Sequence, residues 1–576
     1  MNLKSYLPIL EWIKTYNKDT FKRDLIAGLT VGVMLIPQGM AYAMLAGLPP
    51  IYGLYASTLP LIIYAILGTS RQLAVGPVAM VSLLTASGIG VMAEAGTATY
   101  ISLAIALAAL VGLIQFLLGV LRLGFLVNFL SHPVISGFTS AAALIIGLSQ
   151  LKHLLGIDLA RSHHIHEIIL QAVEQFGNLN WPTVGIGVGG ILLIIVVKKI
   201  NKAIPGSLLA VLFSILAVWA LGLTDAGIAI VGEIPRGLPT FNLPTFSWET
   251  TWALLPTALA ISLVSFMESI AVAKAIQAKH KNYQVVPNQE LIALGLANLG
   301  GALFQSYPVT GGFSRTAVND QAGAKTGLAS VISAVLIILT LLFLTPLFYY
   351  LPKAILASVI MVAIFGLIDW KEPLHLWKTD RSDFWMLIAT FIGTLTLGIE
   401  SGIGLGVVLS LAMIIYETTR PHMVRLGQVP DTPFYRNVER FENMSERPDT
   451  LIVRFDARLY FANIQFFQDK LAEWIAQKGD QLQTIIINAE GMNSLDSSAL
   501  HLLEEIVKEQ RAKGRNVFFS GVKGPVRDLL VRAGLFAKIG ADNFFMTVQE
   551  AVDYHVENRV GTPADFQEYT MQTNIS

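Results

Sequence analysis

The segment LIPQGMAYAMLAGLPPIYGLYAS at residues 35–57 combines a long apolar run with features that an ordinary lipid-facing helix lacks. Pro37 is expected to break the helix, because proline removes a backbone donor and clashes with the preceding turn. Gln38 and Tyr42 stand four residues apart and therefore share one helical face beside this break. Polar side chains at membrane depth are costly unless they face protein or water. We therefore predict that Gln38 and Tyr42 line an internal site, with hydrogen bonding between helices as the alternative.

The composition around this segment divides the chain into a membrane body and a soluble tail. The 576 residues are 53% hydrophobic and only 14% charged, whereas soluble proteins have about 25% charged residues. The deficit lies between residues 24 and 419, and the charge density rises after residue 420. Lys and Arg balance Asp and Glu at 40 each, so no basic excess indicates nucleic-acid binding. The absence of cysteine excludes disulfides, thiolate metal sites and thiol catalysis.

Fourteen segments are apolar enough to be candidates for crossing a membrane, although several are shorter than the required length of about 20 residues. The predicted spans are 24–46, 51–68, 75–92, 98–120, 132–151, 182–198, 204–222, 252–274, 288–304, 310–320, 327–350, 353–370, 384–399 and 402–419. Together they define a transmembrane domain at residues 24–420.

The distribution of cations predicts the orientation, because cytoplasmic loops carry an excess of Lys and Arg. Residues 1–23 are polar and basic and lack the apolar core and cleavage site of a signal peptide, so we expect a cytoplasmic N-terminal segment. The inner loops then contain Lys198, Lys199, Lys202, Lys274, Lys279, Lys281, Lys371, Lys378, Arg381, Arg420 and Arg425. The outer loops are poor in cations. We predict a multi-pass protein of the cell membrane with both termini in the cytoplasm.

A second unusual segment, GTSRQLAVGPVAMVSLL at residues 68–84, predicts a helix that begins inside the membrane. Gly76 and Pro77 open this helix after an extended lead-in. The first amides of a helix lack acceptors and carry the positive end of the helix dipole, so such a start favours anions.

A third segment, SYPVTGGFSRTAVNDQAG at residues 306–323, repeats this arrangement. Gly311 and Gly312 precede a short helix that begins with Phe313, and Ser314 and Arg315 follow at once. A buried Arg at the midplane needs an anionic partner. The alternative is an Arg at a helix end that reaches the cytoplasm.

The two halves of the body show a similar internal spacing. Gln38 precedes Gly76 by 38 residues, and Glu268 precedes Gly311 by 43 residues. Inverted repeats with paired broken helices are common in secondary carriers. The predicted repeats cover residues 24–222 and 252–420.

Glu268 stands in the otherwise apolar span ALAISLVSFMESIAVAKA at residues 258–275. An ionised carboxylate there is costly, which suits a group that couples transport to H⁺ or Na⁺. The alternative is a structural carboxylate paired with Arg315 or Lys274. Asn298 and Glu400 are also polar and embedded, and the sequence gives them no role.

The tail at residues 449–557 alternates strand and helix patterns, which predicts an α/β domain after a linker at 421–448. The strands are predicted at 450–456, 484–489, 516–521 and 544–548, and the helices at 463–477, 496–514 and 524–535, with one more after 548. Residues 558–576 are expected to form a loose C-terminal tail. Asp496 or Ser497 is predicted to cap a helix, with a phosphorylation or nucleotide-sensing site as the alternative.

His163, His164 and His166 cluster in a predicted outer loop, which we interpret as solvated rather than as a metal patch. No catalytic constellation is present. We predict no enzyme activity, no metal and no cofactor.

The first two unusual segments closely resemble the signature of the SulP anion permeases, whose animal relatives include pendrin and prestin. GGFSRTAVN at 311–319 resembles the anion-site helix of that family. The tail resembles the STAS domain, which the family shares with bacterial anti-sigma-factor antagonists. The resemblance extends over nearly the whole chain.

This resemblance implies a polytopic α-helical membrane protein with fourteen spans in two inverted seven-span repeats, plus a cytoplasmic α/β STAS domain. It also implies core and gate domains, a homodimer and an elevator-like motion. By the same resemblance, the residues lining the anion site are Gln38, Tyr42, Val78, Ala79, Ser314 and Arg315. Position 78 is often aromatic in animal relatives, so pocket size is expected to differ.

Two further roles follow from the resemblance alone. Glu268 matches a carboxylate that plant sulfate carriers hold in the eighth span, which favours proton symport, whereas bicarbonate-type relatives use an Asp there in a Na⁺ site. Ser498 matches the phosphorylated serine of the anti-sigma antagonists.

The sequence thus predicts a proton-coupled sulfate carrier of the elevator type. A bicarbonate or dicarboxylate carrier coupled to Na⁺ or H⁺ is the alternative within the same class. An anion channel, a voltage-responsive motor and a membrane-anchored STAS signalling protein are the alternatives from other classes.

Overall fold

The computed structural model describes residues 7–125, 131–159, 165–200 and 205–560. His163, His164, the side chains of His166 and Glu400, and the predicted tail from residue 561 lie outside the described part. Contacts divide the chain into two compact units, residues 1–410 and 411–576.

The first unit is almost entirely helical. Its helices are α1 (Ile9–Trp12), α2 (Lys18–Leu45), α3 (Ile51–Tyr55), α4 (Leu59–Leu67), α5 (Ala79–Gly90), α6 (Ala98–Val120), α7 (His132–Ser149), α8 (Leu151–Leu155), α9 (Ile165–Glu174), α10 (Trp181–Ile200), α11 (Gly206–Leu221), α12 (Trp248–His280), α13 (Pro287–Ala302), α14 (Phe313–Gln321), α15 (Leu328–Leu339), α16 (Lys353–Phe365), α17 (Glu372–Thr379), α18 (Arg381–Leu397) and α19 (Ile399–Thr419), which continues into the second unit. A π-helical turn (Thr340–Leu344) and a 3₁₀ turn (Thr345–Phe348) extend α15. Two short strands, β1 (Val75–Gly76) and β2 (Thr310–Gly311), interrupt the helices.

All fourteen predicted spans coincide with helical segments of the structure. Among the described residues, seven helices are long and apolar enough to cross a membrane, and four apolar helical segments are shorter. Helix α10 has a mean hydropathy of 2.0 over its most apolar window, yet only 22% of that window is buried inside the protein. Such an exposed apolar surface is stable only against lipid or another apolar partner.

The first span differs from its prediction in two respects. Helix α2 begins at Lys18 rather than at residue 24, because the side chain of Asn17 caps it by accepting a 2.9 Å hydrogen bond from the Thr20 amide. The prediction that Pro37 breaks this span is wrong, since α2 continues through Pro37 to Leu45. A membrane helix tolerates such a proline because its neighbours compensate for the lost hydrogen bond.

Equivalent helices in the two halves of the first unit make equivalent contacts. Helix α2 packs on α15, and its counterpart α12 packs on α6. Likewise α4 contacts α15 as α13 contacts α6, and α7 contacts α18 as α16 contacts α10. Strands β1 and β2 are equivalent in this exchange and pair antiparallel. Equivalent segments that run in opposite directions are the mark of an inverted repeat.

Small residues allow the closest helix contacts in this unit. A Cβ atom on Gly295 of α13 would lie 2.5 Å from the Phe116 amide nitrogen of α6. A Cβ on Gly112 of α6 would in turn lie 2.7 Å from the Gly295 carbonyl oxygen. Glycine lets two backbones approach in this way within a membrane, where packing rather than the hydrophobic effect drives association.

The second unit is an α/β domain around one six-stranded sheet. Its strands are β3 (Met423–Gln428), β4 (Tyr435–Asn437), β5 (Thr450–Phe455), β6 (Thr484–Asn488), β7 (Asn516–Ser520) and β8 (Phe544–Phe545), and its helices are α20 (Ile464–Lys478), α21 (Ser497–Ala512), α22 (Gly524–Arg532), α23 (Leu535–Ile539) and α24 (Val548–Val560). The sheet order is β4-β3-β5-β6-β7-β8, with β5 to β8 parallel and β3 antiparallel to both of its neighbours. Residues 421–448, predicted as a linker, therefore contain two strands of the sheet.

Alternating side chains of the parallel strands form two apolar layers, as the period of a strand requires. Ile485 and Ile487 of β6 face the larger cluster with α20 to α23, whereas Ile486 between them faces α24. The predicted strands of the tail thus belong to one sheet, and the helices of the tail cover both of its faces.

Candidate functional site

Two helices of the first unit begin side by side in its interior. β1 leads into α5 and β2 leads into α14, and the strands pair with Val75 opposite Gly311 and Gly76 opposite Thr310. A further 3.0 Å hydrogen bond from the Gly312 amide to the Ala74 carbonyl extends the pair. The structure therefore brings together the two helix starts that the sequence places 234 residues apart.

Neither helix start has a side-chain cap. The cap positions are Val78 for α5 and Gly312 for α14, and neither supplies a side-chain acceptor. The first-turn amides of a helix have no acceptor within the helix itself. Two sets of free amides and two positive dipole ends thus meet at one place, which electrostatically favours an anion.

Arg315 adds a full positive charge beside these helix starts. Its side chain is only 2% exposed, so it does not reach the cytoplasm as the alternative interpretation supposed. Nη1 donates a hydrogen bond to the Pro77 carbonyl, which ties the guanidinium to the start of α5. Nε and Nη2 have no hydrogen-bond partner among the described residues. These two donors form one edge of the guanidinium, the geometry that binds an oxyanion through two hydrogen bonds.

Two glycines make room for this guanidinium. A Cβ atom on Gly312 would lie 2.9 Å from Nη2, and one on Gly76 would lie 3.3 Å from the same atom. Gly76 also has a φ of +149°, which side-chain-bearing residues rarely adopt. Gly76 and Gly312, which precede the two helices, therefore also provide space for Arg315.

Glu268 of α12 and Tyr42 of α2 lie within electrostatic range of Arg315. Glu268 is partly exposed, and its Oε2 has no hydrogen-bond partner among the described residues. Among the described residues, no cation lies within 4.0 Å of the Glu268 carboxylate, and the Lys274 side chain is exposed. The structural ion pair proposed as the alternative for Glu268 is therefore not formed.

Gln38 and Tyr42 are both buried on α2, at 5% and 6% exposure. The Oε1 of Gln38 has no hydrogen-bond partner among the described residues, so this oxygen takes no part in hydrogen bonding between helices. Helix α2 packs against both α5 and α14. These polar side chains thus lie on the helix that flanks the two helix starts.

The remaining predicted site residues divide into two sets. Val78 and Ala79, at the start of α5, are buried. Phe313 and Ser314, at the start of α14, are exposed, whereas Arg315 directly after them points inward. A single helical turn thus presents one polar side chain outward and one cation to the interior.

Two side chains that the sequence did not single out hold the lead-in of α5. Thr316 Oγ1 accepts a 3.0 Å hydrogen bond from the Ala74 amide, and Asn319 Nδ2 donates a 2.8 Å hydrogen bond to the Gln72 carbonyl. Both residues follow Arg315 on the short helix α14. Their polarity in RTAVND was a usable signal, because polar side chains in an embedded helix need partners.

Ser498 belongs to the second unit and is the second residue of α21. The capping prediction is confirmed there, since Asp496 accepts a 2.9 Å hydrogen bond from the Ala499 amide. Among the described residues, no three His, Cys, Asp or Glu side chains lie close enough to hold a metal ion.

Comparison with known protein families identifies both units. Residues 21–390 match the model of the sulfate permease family, and residues 443–551 match that of the STAS domain. The chain belongs to the sulfate permease family. Its membrane domain thus carries the inverted repeat of this family, and its C-terminal sheet domain is a STAS domain.

Curated members of the family are similar over nearly the whole chain. The chloroplastic sulfate transporter 4.1 of Arabidopsis thaliana is 42% identical over 96% of this chain and 82% of its own length. The high affinity sulfate transporter 2 of Stylosanthes hamata is 34% identical over 96% of this chain and 86% of its own length.

A solved structure of the family has the same fold. The murine solute carrier 26 family member A9, an anion transporter captured in the inward-facing state, has a TM-score of 0.89 and 27% identity, and the match covers 96% of this chain and 95% of that one. The transmembrane domain of the cyanobacterial bicarbonate transporter BicA matches with a TM-score of 0.59 at 22% identity, which shows a shared fold. The chain is a membrane protein and a secondary anion transporter, with fourteen spans in two inverted repeats that form core and gate domains.

Proposed function

We propose that this transporter carries sulfate across the cell membrane by symport with a proton, through an elevator-type movement of its core. The observation that carries the proposal is the buried guanidinium of Arg315, whose Nε and Nη2 donors stand free between two uncapped helix starts. A two-donor edge fits the tetrahedral oxygens of sulfate better than it fits a monatomic halide. Sulfate is chosen among oxyanions because the similar plant proteins are named sulfate transporters.

Glu268 is proposed as the proton-binding group. Its carboxylate is in electrostatic range of Arg315 and lacks a cation within 4.0 Å among the described residues. A negative charge there competes with the substrate anion for Arg315. Protonation removes that charge, so the anion and the proton are expected to bind together and to cross together.

The elevator movement is proposed because the site is bonded into a single body. Arg315 joins α14 to the Pro77 carbonyl, while Thr316 and Asn319 join α14 to the lead-in of α5. Both helix starts are therefore expected to move as one body. The bound anion would be carried across by this body rather than pass between two helices that separate. We further propose a homodimer, with both termini in the cytoplasm.

Purified protein in liposomes tests this function. Labelled sulfate, bicarbonate, fumarate and chloride are offered under separate H⁺ and Na⁺ gradients. We expect sulfate to accumulate when the outside is more acidic than the inside, and we expect Na⁺ to have no effect. Glu268→Gln is expected to keep sulfate exchange but to lose accumulation driven by pH. Accumulation of bicarbonate or fumarate in place of sulfate would support the other carrier, and unsaturable chloride flux would support a channel.

A further inference from the structure

The lead-in to α14, residues 306–312, is held by buried polar side chains to which no role has been given so far. Tyr307 of this segment shares a 3.0 Å hydrogen bond with Ser82 of α5. Val309, Thr310 and Gly311 of the lead-in bond to α13 and α12. Apart from one backbone carbonyl of α12, these partners are short polar side chains in the interior of the first unit.

Ser269 of α12 occupies the centre of a directed chain of hydrogen bonds. Thr310 Oγ1 donates to the Ser265 carbonyl at 2.7 Å, and a carbonyl can only accept. The one proton of Thr310 is therefore used, so the 2.7 Å bond between the two hydroxyls must be donated by Ser269. The oxygen of Ser269 then accepts from the Gly311 amide at 2.9 Å. Each donor in this chain has an acceptor.

Asn298 of α13 bonds both backbone groups of Val309, the residue before Thr310, as a neighbouring strand would. Its Oδ1 accepts from the Val309 amide at 2.8 Å, and its Nδ2 donates to the Val309 carbonyl at 3.1 Å. Nδ2 also donates to Gln115 Oε1 at 3.2 Å. Asn298 is 1% exposed, so water does not replace these bonds. Asn298 thus fixes the backbone directly before β2, a strand of two residues that is too short to be held by its own ladder hydrogen bonds.

The position of Ser269 relates this chain to the rest of the site. Ser269 directly follows Glu268 on α12, and Ser265 stands one turn before it. The same turn of α12 therefore carries the candidate proton-binding group and the hydroxyl that holds Gly311. Since Gly311 pairs with Val75, a shift of this turn moves the beginnings of both α14 and α5.

We propose that Ser269 and Asn298 are positioning residues: they fix the starts of α14 and α5 and link the turn of α12 that bears Glu268 to the anion site. Neither residue touches the anion in this scheme. The link to Glu268 rests on the function proposed above, whereas the effect on anion affinity does not depend on proton coupling.

Variants at Ser269 test the proposal in full-length protein. Ser269→Ala removes the acceptor of the Gly311 amide, so we expect a roughly tenfold rise in the KM for sulfate with a maximal rate within about twofold of wild type. Ser269→Cys keeps a side chain of similar volume but weakens the hydrogen bonds to Thr310 and Gly311. Its KM is therefore expected to lie between those of wild type and Ser269→Ala. The dependence of uptake on external pH is expected to flatten in the same order.

Ser262→Ala is the matched control. Ser262 lies on the same helix with 1% exposure, and its hydroxyl donates within α12 to the Ala258 carbonyl at 2.7 Å. Its KM and pH profile are expected to equal those of wild type. Asn298→Ala is expected to raise the KM at least as much as Ser269→Ala does, because it frees both groups of Val309.

Equilibrium binding of sulfate, read from the shift in unfolding temperature, separates this proposal from the proposed function. If wild type binds sulfate but is insensitive to pH, proton coupling fails, while the loss of affinity in Ser269→Ala and Asn298→Ala still supports positioning. A wild-type affinity and pH profile in both variants would overturn the inference. Should the alanine variants fail to fold, Ser269→Cys gives the decision through the same two measurements.

Discussion

At the scale of residues, the chemistry of the site depends on how the guanidinium of Arg315 is held. The Pro77 carbonyl accepts a hydrogen bond from Nη1, and Gly76 and Gly312 leave space for the rest of the guanidinium. The free edge is a planar pair of donors, which a lysine cannot imitate because its ammonium is a single point of charge. Shape and charge are therefore both required at position 315.

Arg315→Lys tests this requirement. We expect the KM for sulfate to rise about tenfold to a hundredfold, because one two-donor contact becomes a single contact. The measurement is initial-rate uptake into liposomes, with chloride as a competitor. Arg236→Lys, at an exposed position, serves as control and is expected to behave as wild type. Equal losses for sulfate and chloride would contradict a two-donor contact.

At the scale of elements, the repeats of the membrane body meet through backbones rather than through large side chains. Helices α6 and α13 approach closely enough for Gly112 and Gly295 to face each other. Helix α13 also carries Asn298, which holds the lead-in to α14. The spacing of these two helices therefore bears on the geometry of the site.

Gly295→Ala is expected to destabilise the transmembrane domain by about 1–3 kcal/mol, because a methyl group would overlap the backbone of α6. Gly189→Ala on α10 is the matched control, since nothing lies within 4 Å of its Cβ position. Thermal unfolding of the purified protein in detergent measures the difference. Equal unfolding temperatures in the two variants would show that α6 and α13 can separate without cost.

In the STAS domain, the last helix is tied to the sheet by a buried polar group. His555 of α24 bonds to Thr484 at 2.9 Å and to Asp449 at 3.4 Å. Burial opposes ionisation of Asp449, but hydrogen bonds from Arg447 and Thr450 outweigh it and lower the pKa of Asp449 to about 2. Because the pKa is lower in the folded state, this stabilisation is complete above the unfolded pKa of about 3.9 and is lost as the pH falls towards 2.

Asp449→Asn should therefore lower the free energy of unfolding of the STAS domain by about 2 kcal/mol at pH 7. Hydrogen exchange of α24 in the full-length protein measures this as faster exchange. The control Asp469→Asn changes an exposed carboxylate that accepts a hydrogen bond from Gln465 within its own helix. In wild type, the stability contribution of Asp449 is expected to stay constant between pH 5 and 8. Unchanged exchange in Asp449→Asn would exclude a stabilising role for its charge.

At the scale of the whole molecule, the chain itself offers a direct test of orientation. It contains no cysteine, so single cysteines can be introduced without further changes. Glu249→Cys, in the exposed first turn of α12, is expected to react with a membrane-impermeant maleimide applied to intact cells. Lys14→Cys and Lys513→Cys are expected to react only after the membrane is opened, because both termini are predicted to be cytoplasmic. The opposite pattern would invert the proposed topology.

The sequence predicted the number and place of the spans, because apolar length is a local property. It also located both helix starts, since Gly and Pro mark them directly in the chain. It did not reveal the hydroxyl chain at Ser269 or the contact of Asn298 with Val309, because these bonds join residues 11 to 45 positions apart. It misjudged Pro37 for a similar reason: whether a helix survives a proline depends on its neighbours. Strands β3 and β4 were missed because they lie in a segment rich in polar and charged residues that reads as a linker.

The antiparallel pairing of β1 with β2 has a consequence for the direction of transport. An approximate twofold axis relates these two strands, so the backbone starts of α5 and α14 are equivalent, although Arg315 belongs to α14 alone. The binding energy gained at such a pocket does not by itself favour import over export. Net flow must then be decided by the electrochemical potentials on the two sides, and reversing them is expected to run the same cycle backwards.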